Sequence, residues 1–433
     1  MAKRETIRKA VLAITGIALA AVLFFAGYFT YFLTMSREQK YLLWAADMIA
    51  QQYIVYDEAT GKYKEYTAEE MVKALIAGLP FDQYSAFYSE KEYADVIATS
   101  KGKQYGVGLT FAANAEDAVI YSVIGNSPAE RAGILPGGRI TALEYGGTTE
   151  EIGTYAQFAA ALARVPANTE FYLWVASGGE PTRYVLRRES FQESYVRYAD
   201  SETGYRFRSD DGSAPVGTED PAGREEALGE DTAYLKLTSF VTPAIAQLAE
   251  ALRFMAERQR TALILDLRNN GGGYMDALEE IASYFIPAEQ EKNVVAKAIS
   301  KKGEEEIFLT PANRCDERRK SVIVLADDGT ASASECLIGA LQYYGVIDGA
   351  HLVITKNRDG RARTYGKGIM QTTYVNSLYG GALKLTTAYL YQPDGKTCIH
   401  GIGIGTVAEN EIEPTEGVDA ELLRAAEILK SGR

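Results

Sequence analysis

From residue 232 onward, short apolar runs alternate with stretches of helical spacing, and that alternation leaves few folds open. AYLKLTSF (233–240) reads as a strand and TPAIAQLAEALRFMAERQ (242–259) as a helix. TALILDLR (261–268) reads as a buried strand, NNGGG (269–273) as a turn and YMDALEEIASYFI (274–286) as a helix. SVIVLAD (321–327) and ASECLIGALQYYG (333–345) repeat the pair, with Leu337, Ala340, Leu341 and Tyr344 on one helical face. The sequence therefore predicts an α/β core over 190–433, with an acidic, Gly- and Pro-rich loop at 209–231.

The upstream texture differs. Residues 37–78 read as helical, and the N-terminal helical region is taken as 36–98. QYGVGLTF and DAVIYSVI read as strands, and NSPAERAGILPGGRITALEYGG as helix, turn and strand. TYAQFAAALAR reads as a helix, with EFYLWVAS and TRYVLRR as closing strands. So many short elements within 100–189 predict a small, partly open β-barrel domain.

No charge interrupts the run from Ala10 to Met35, which is long enough for a bilayer span of about 20 residues. Lys3, Arg4, Arg8 and Lys9 precede it, which keeps the tail (1–10) in the cytoplasm. Tyr28, Phe29, Tyr31 and Phe32 suit an aromatic belt at the far side. A cleaved signal peptide is the other reading, but no A-x-A site follows the run. The expectation is one transmembrane anchor at 11–33 in the cell membrane, with the remainder extracytoplasmic. Net charge is −13; the first ten residues carry +3, leaving −16 for the rest, which speaks against a nucleic-acid partner. Cys315, Cys336 and Cys398 form no CxxC, so neither a zinc site nor any other metal or cofactor is expected.

The window DDGTASASEC (327–336) places Thr330, Ser332 and Ser334 just before an apolar helix. Ser332 with Glu335 makes a capping box, S-x-x-E, which explains both without chemistry. The same position suits a nucleophile, because the Ala333 N–H at the helix head can hold an oxyanion. The glycines after LDLR could offer a second N–H, or merely make a tight connection. His351 and His400 are the only imidazoles, each in a loop or turn. Lys367 stands between two glycines with Ile369 and Met370 following. Enclosed there, its amine could lose its proton well below the usual value of about 10.4 and serve as base, with Gln371 holding it. A surface lysine in a glycine turn is the plain alternative.

Taken in order, DLRNNGGG, GTASASE and TYGKGIMQ resemble the carboxy-terminal processing peptidases, tail-specific serine proteases with a Ser–Lys dyad and a PDZ domain. ALKLTTAYLYQPDGKTCIHGIGI (382–404), FDQYSAFYSEKEY, YGVGL and SPAERAGILPGGRI are similar to further stretches of that family, and the likeness covers roughly 40–410. The resemblance implies a crotonase/ClpP-like catalytic core with an inserted PDZ barrel, and a serine endopeptidase cutting proteins or peptides whose C-terminus the PDZ domain engages. It implies Ser332 as nucleophile, Lys367 as general base and Gln371 as its orienter, with Gly273 and Ala333 at the oxyanion. It also implies Gly106, Val107, Gly108 and Leu109 as the loop receiving the peptide carboxylate, and leaves homo-oligomers open. Two departures stand out: Gly138 occupies a position where the PDZ pattern has Asp, and the 35-residue gap from Ser332 to Lys367 is longer than the family's. The alternatives are a catalytically inactive PDZ-bearing scaffold or ligand carrier, and a Ser–His hydrolase of small esters using His400.

Overall fold

The computed structural model describes residues 33–52, 56–57, 62–63, 66–79, 83–112, 116–202, 204–206, 228–287, 292–316, 318–377, 380–415 and 418–431, with isolated helical positions at 15, 19, 22, 24, 26 and 30. Most of the expected span 11–33 and of the acidic loop 209–231 thus lies outside the described residues. Among the described residues no helix is long and apolar enough to cross a membrane. The chain divides into two compact units, Met1–Ser89 and Glu90–Arg433.

In the first unit, the stretch read as helical over 37–78 is interrupted. Helices Arg37–Gln52 and Ala68–Ala77 flank a pairing of Tyr56–Asp57 with Lys62–Tyr63. The second helix starts where Thr67 and Glu70 close a capping box. The helix Glu90–Ser100, read with the N-terminal region, falls in the second unit.

The second unit holds two kinds of core. Over 103–192 the strands form three ladders rather than one closed barrel. An antiparallel sheet runs in the order Thr182–Arg187, Glu170–Ala176, Arg139–Tyr145, Thr148–Glu151. Lys103–Gly106 pairs with Glu189–Gln192, and Leu109–Thr110 with Ser122–Val123. Ile120, Ile140, Phe158, Phe171 and Leu173 fill a core of their own between these ladders and the helix Tyr155–Ala163.

The larger core is built on a sheet in the order Gly204–Arg206, Val196–Asp200, Thr232–Leu237, Ala262–Asp266, Ser321–Ala326, Leu352–Thr355, Glu411–Ile412. From Thr232 onward these strands are parallel. Alternate residues of one strand enter opposite cores: Leu263 and Leu265 meet the helices Thr242–Glu257, Met275–Ala282 and Ala333–Tyr343, while Ile264 meets the C-terminal helix Ala420–Ser431. Burial on both faces is why TALILD reads as an unbroken apolar run. A second, antiparallel sheet runs Glu305–Leu309, Val294–Ser300, Ala382–Tyr391, Ile369–Val375. The loops after Leu237, Asp266 and Ala326 all leave the C-terminal edge of adjacent parallel strands, where open α/β sheets form their clefts.

Candidate active site

The serine loop sorts its three hydroxyls. Thr330 Oγ1 donates to Leu267 O at 2.9 Å and Ser334 Oγ to Asn270 O at 2.9 Å, and both residues are fully buried. They tie the turn to the neighbouring strand. Ser332 differs: its backbone sits at φ 58°, ψ −117°, outside the basins open to most side chains. Such a conformation costs about 1–3 kcal/mol and persists only when its surroundings impose it. It makes a sharp strand-to-helix turn of the kind that can project a nucleophile at a helix head. Of the expected capping box, the carboxylate half is made, with Ser332 N–H donating to Glu335 Oε2 at 2.8 Å.

The glycine loop packs against that turn. A methyl group on Gly272 (φ +97°) would stand 2.8 Å from both Ala331 O and Ala333 N, and 2.9 Å from Ser332 Cβ. Gly272, rather than Gly273, is therefore the glycine pressed against the serine. Gly273 bridges to Phe240 in parallel fashion: Phe240 N–H donates to Gly272 O at 2.9 Å, and Tyr274 N–H to Phe240 O at 2.8 Å. That pattern directs the N–H of Gly273 away from Phe240. Asn270, fully buried, braces the loop by accepting Gly272 N–H at 3.0 Å and donating to Leu237 O at 2.9 Å.

Beneath the loop lies an ionic cluster. Asp266 Oδ2 meets Arg268 at 2.7 Å and Tyr234 Oη at 2.6 Å, and Arg268 also reaches Asp419 at 2.8 Å and Glu421 at 3.2 Å. Burial would raise the Asp266 carboxyl, but Lys236 and Arg268 beside it hold it well below the usual carboxylate range.

The lysine loop comes from far along the chain yet closes on the serine turn. Tyr365 N–H donates to Thr330 O at 2.9 Å. Glu335, buried on the first turn of the helix Ala333–Tyr343, binds the loop three times. It accepts Thr364 Oγ1 at 2.5 Å, Gly366 N–H at 2.7 Å and Lys367 N–H at 2.9 Å. Oε2 takes both Ser332 N–H and Lys367 N–H, so the two backbone nitrogens flank a single atom. Lys367 is half-buried. Burial, then the Lys384 ammonium, push its amine below the usual lysine value, with Glu335 opposing. Burial likewise pushes the Glu335 carboxyl up against its four hydrogen bonds.

On the other side, the turn His400–Gly403 lies directly on the lysine loop. Methyls on Gly366 and Gly368 would stand 2.9 Å from Gly403 N and 2.4 Å from His400 N. Between Ser332 and Lys367 the strand Leu352–Thr355 extends the sheet beside Ser321–Ala326, and the lysine loop still closes on the serine turn. Gln371, at a register shift in Ile369–Val375, donates to Thr386 Oγ1 at 3.2 Å. His351 pairs with Asp348 at 2.6 Å, and the His400 ring meets that of Tyr389 at a tilt of 59°, with centroids 5.2 Å apart.

Gly106 to Leu109 line a groove of about 340 Å³ with Phe111, Phe158, Leu162 and Phe191. Gly106 and Gly108 have φ of +143° and +79°, and a methyl on Gly108 would collide with Ser127. Val107 O and Gly108 O accept Ala129 N–H and Ile124 N–H at 2.9 Å, which anchors the loop from within. The helix Tyr155–Ala163 forms the opposite wall.

The structure thus gathers Ser332, Ala333, Gly273 and Lys367 at one edge of the parallel sheet. Reading the sequence left out Glu335 and Thr364 as site residues. Glu335 was already explained as a cap, and its bonds to the lysine loop depend on a tertiary closure that spacing does not encode.

Residues 231–407 match the sequence profile of peptidase family S41. The chain is 28% identical over 417 residues to the carboxyl-terminal-processing protease of Synechocystis sp., covering 92% of this chain and 84% of that one. It is 28% identical over 339 residues to the chloroplastic carboxyl-terminal-processing peptidase 2 of Arabidopsis thaliana, covering 77% and 58%. A solved protein of Bacteroides fragilis described as an S41 protease shares the fold, with TM-score 0.50, 17% identity and coverage of 85% and 90%.

Proposed function

Because the chain belongs to peptidase family S41 and is a serine-type peptidase, we propose that it is a membrane-anchored, extracytoplasmic endopeptidase of the carboxy-terminal processing type. One observation carries the catalytic part: Ser332 N–H and Lys367 N–H share one oxygen of Glu335, which joins a helix-head serine to a half-buried lysine. Neutral Lys367 takes the Ser332 hydroxyl proton as Oγ attacks the scissile carbonyl. The N–H groups of Gly273 and Ala333 receive the oxyanion. Lys367 then gives its proton to the leaving amine, an acyl-enzyme ester remains, and a water deprotonated by Lys367 hydrolyses it.

Substrates enter by their C-termini. The groove beside Gly106–Leu109 is apolar, opens between a short strand and a helix, and starts at a glycine-bearing loop. These features suit strand addition by a peptide whose carboxylate meets backbone N–H groups. The anchor rests on the uncharged run from Ala10 to Met35 and the cations before it.

The test is digestion of an unfolded protein by the full-length chain, beside Ser332→Ala and Lys367→Ala. Each variant should lose cleavage while keeping its circular-dichroism spectrum. Retained full activity in folded Lys367→Ala would refute the dyad.

A further inference from the structure

We propose that Glu335 is a positioning residue whose ionised carboxylate assembles the serine and lysine loops into one catalytic unit. This deepens the Ser332–Lys367 reading and rests on it. A helix cap needs only the bond to Ser332 N–H, three residues away. The other three bonds go to Thr364, Gly366 and Lys367, which lie 29, 31 and 32 residues away. Capping leaves these three without a reason. The carboxylate has no exposure, and every oxygen contact reaches one of the two loops.

The partners also fix its protonation state. Ser332, Gly366 and Lys367 present backbone N–H groups, which only donate. Thr364 Oγ1 accepts Ile404 N–H at 2.7 Å, and its own hydrogen is directed to Glu335. Four donors converge on two oxygens, so a neutral carboxyl would set its proton against one of them. The titratable groups facing Glu335 are Lys367 on the base loop and Cys336, the next residue on its helix. Because burial raises the Glu335 carboxyl, this acceptor is lost nearer neutral pH than for an ordinary glutamate. Two protonations then oppose catalysis on the acid side, one at Lys367 and one at Glu335.

The experiment uses the full-length chain, an unfolded protein substrate, and active sites counted with a serine-directed phosphonofluoridate taken to completion. Glu335→Gln should lower kcat per titrated site by about a hundredfold with KM little changed, as expected for reacting groups displaced by about 1 Å. For wild type, log(kcat/KM) should rise with a slope of two at the acid end, and for Glu335→Gln with a slope of one. Thr364→Val should cost about tenfold, and Thr364→Ser should recover most of it. Wild-type kcat in Glu335→Gln, or a loss matched by fewer titrated sites with the slope unchanged, would overturn the assignment. Ser332→Ala and Lys367→Ala run alongside: if either stays active the dyad itself falls, whereas dead controls beside a normal Glu335→Gln remove only the role of Glu335.

Discussion

At the scale of single residues, the site is decided by what each side chain is already committed to. Thr330 and Ser334 give their hydroxyl hydrogens to backbone carbonyls, and Ser332 stands in the strained conformation. Lys367 is held low first by burial and then by Lys384, which pairs through its backbone with Thr373 two residues beyond Gln371. Replacing Lys384 by Met removes a like charge, so the Lys367 ammonium becomes easier to keep. The pH profile of kcat/KM should then move to higher pH; an unmoved or lower midpoint would show that Lys384 does not act on the base. That the serine and lysine loops belong together was legible in motif order, and the structure joins them through Glu335. The second role of Glu335 was not, because a local explanation sufficed for it.

At the scale of elements, the close approach between the glycine loop and the serine turn sets the shape of the site. Gly272→Ala puts a methyl 2.8 Å from two backbone atoms at a φ of +97°. The expected outcome is a folded protein destabilised by ~1–3 kcal/mol with activity lowered about a hundredfold or more, read from urea unfolding and turnover together. Activity near wild type would mean that the loop can yield without moving the oxyanion donors. The parallel strands were legible because both their faces are buried, giving unbroken apolar runs. The antiparallel sheet was harder to see, since Ile369–Val375 mixes polar and apolar residues and turns exposed at its far end. The pairing between Arg37–Gln52 and Ala68–Ala77 was missed because helical spacing on either side masked it.

At the scale of the whole molecule, chemistry and address are separable. The Glu90–Arg433 unit holds both the groove and the proposed Ser332–Lys367 dyad. The proposed anchor lies at the other end of the chain; its apolar run suggests the span and the cations before it the orientation. Alkaline phosphatase, which is active only outside the cytoplasm, fused after Arg433 should be active in cells. A fusion active only with a cytoplasmic reporter would refute the orientation. Deleting the four N-terminal cations should lower the fraction of correctly oriented chains.

The ionic cluster under the glycine loop also bears on how firmly the last helix is held. Here Asp419 and Glu421, at the root of the last helix, are clasped by Arg268, and Leu422, Ala425 and Ile428 are sunk into the interior. Fraying that helix would expose buried charge and apolar surface together, so Ala420–Ser431 should come away from the sheet only when the core beneath it opens.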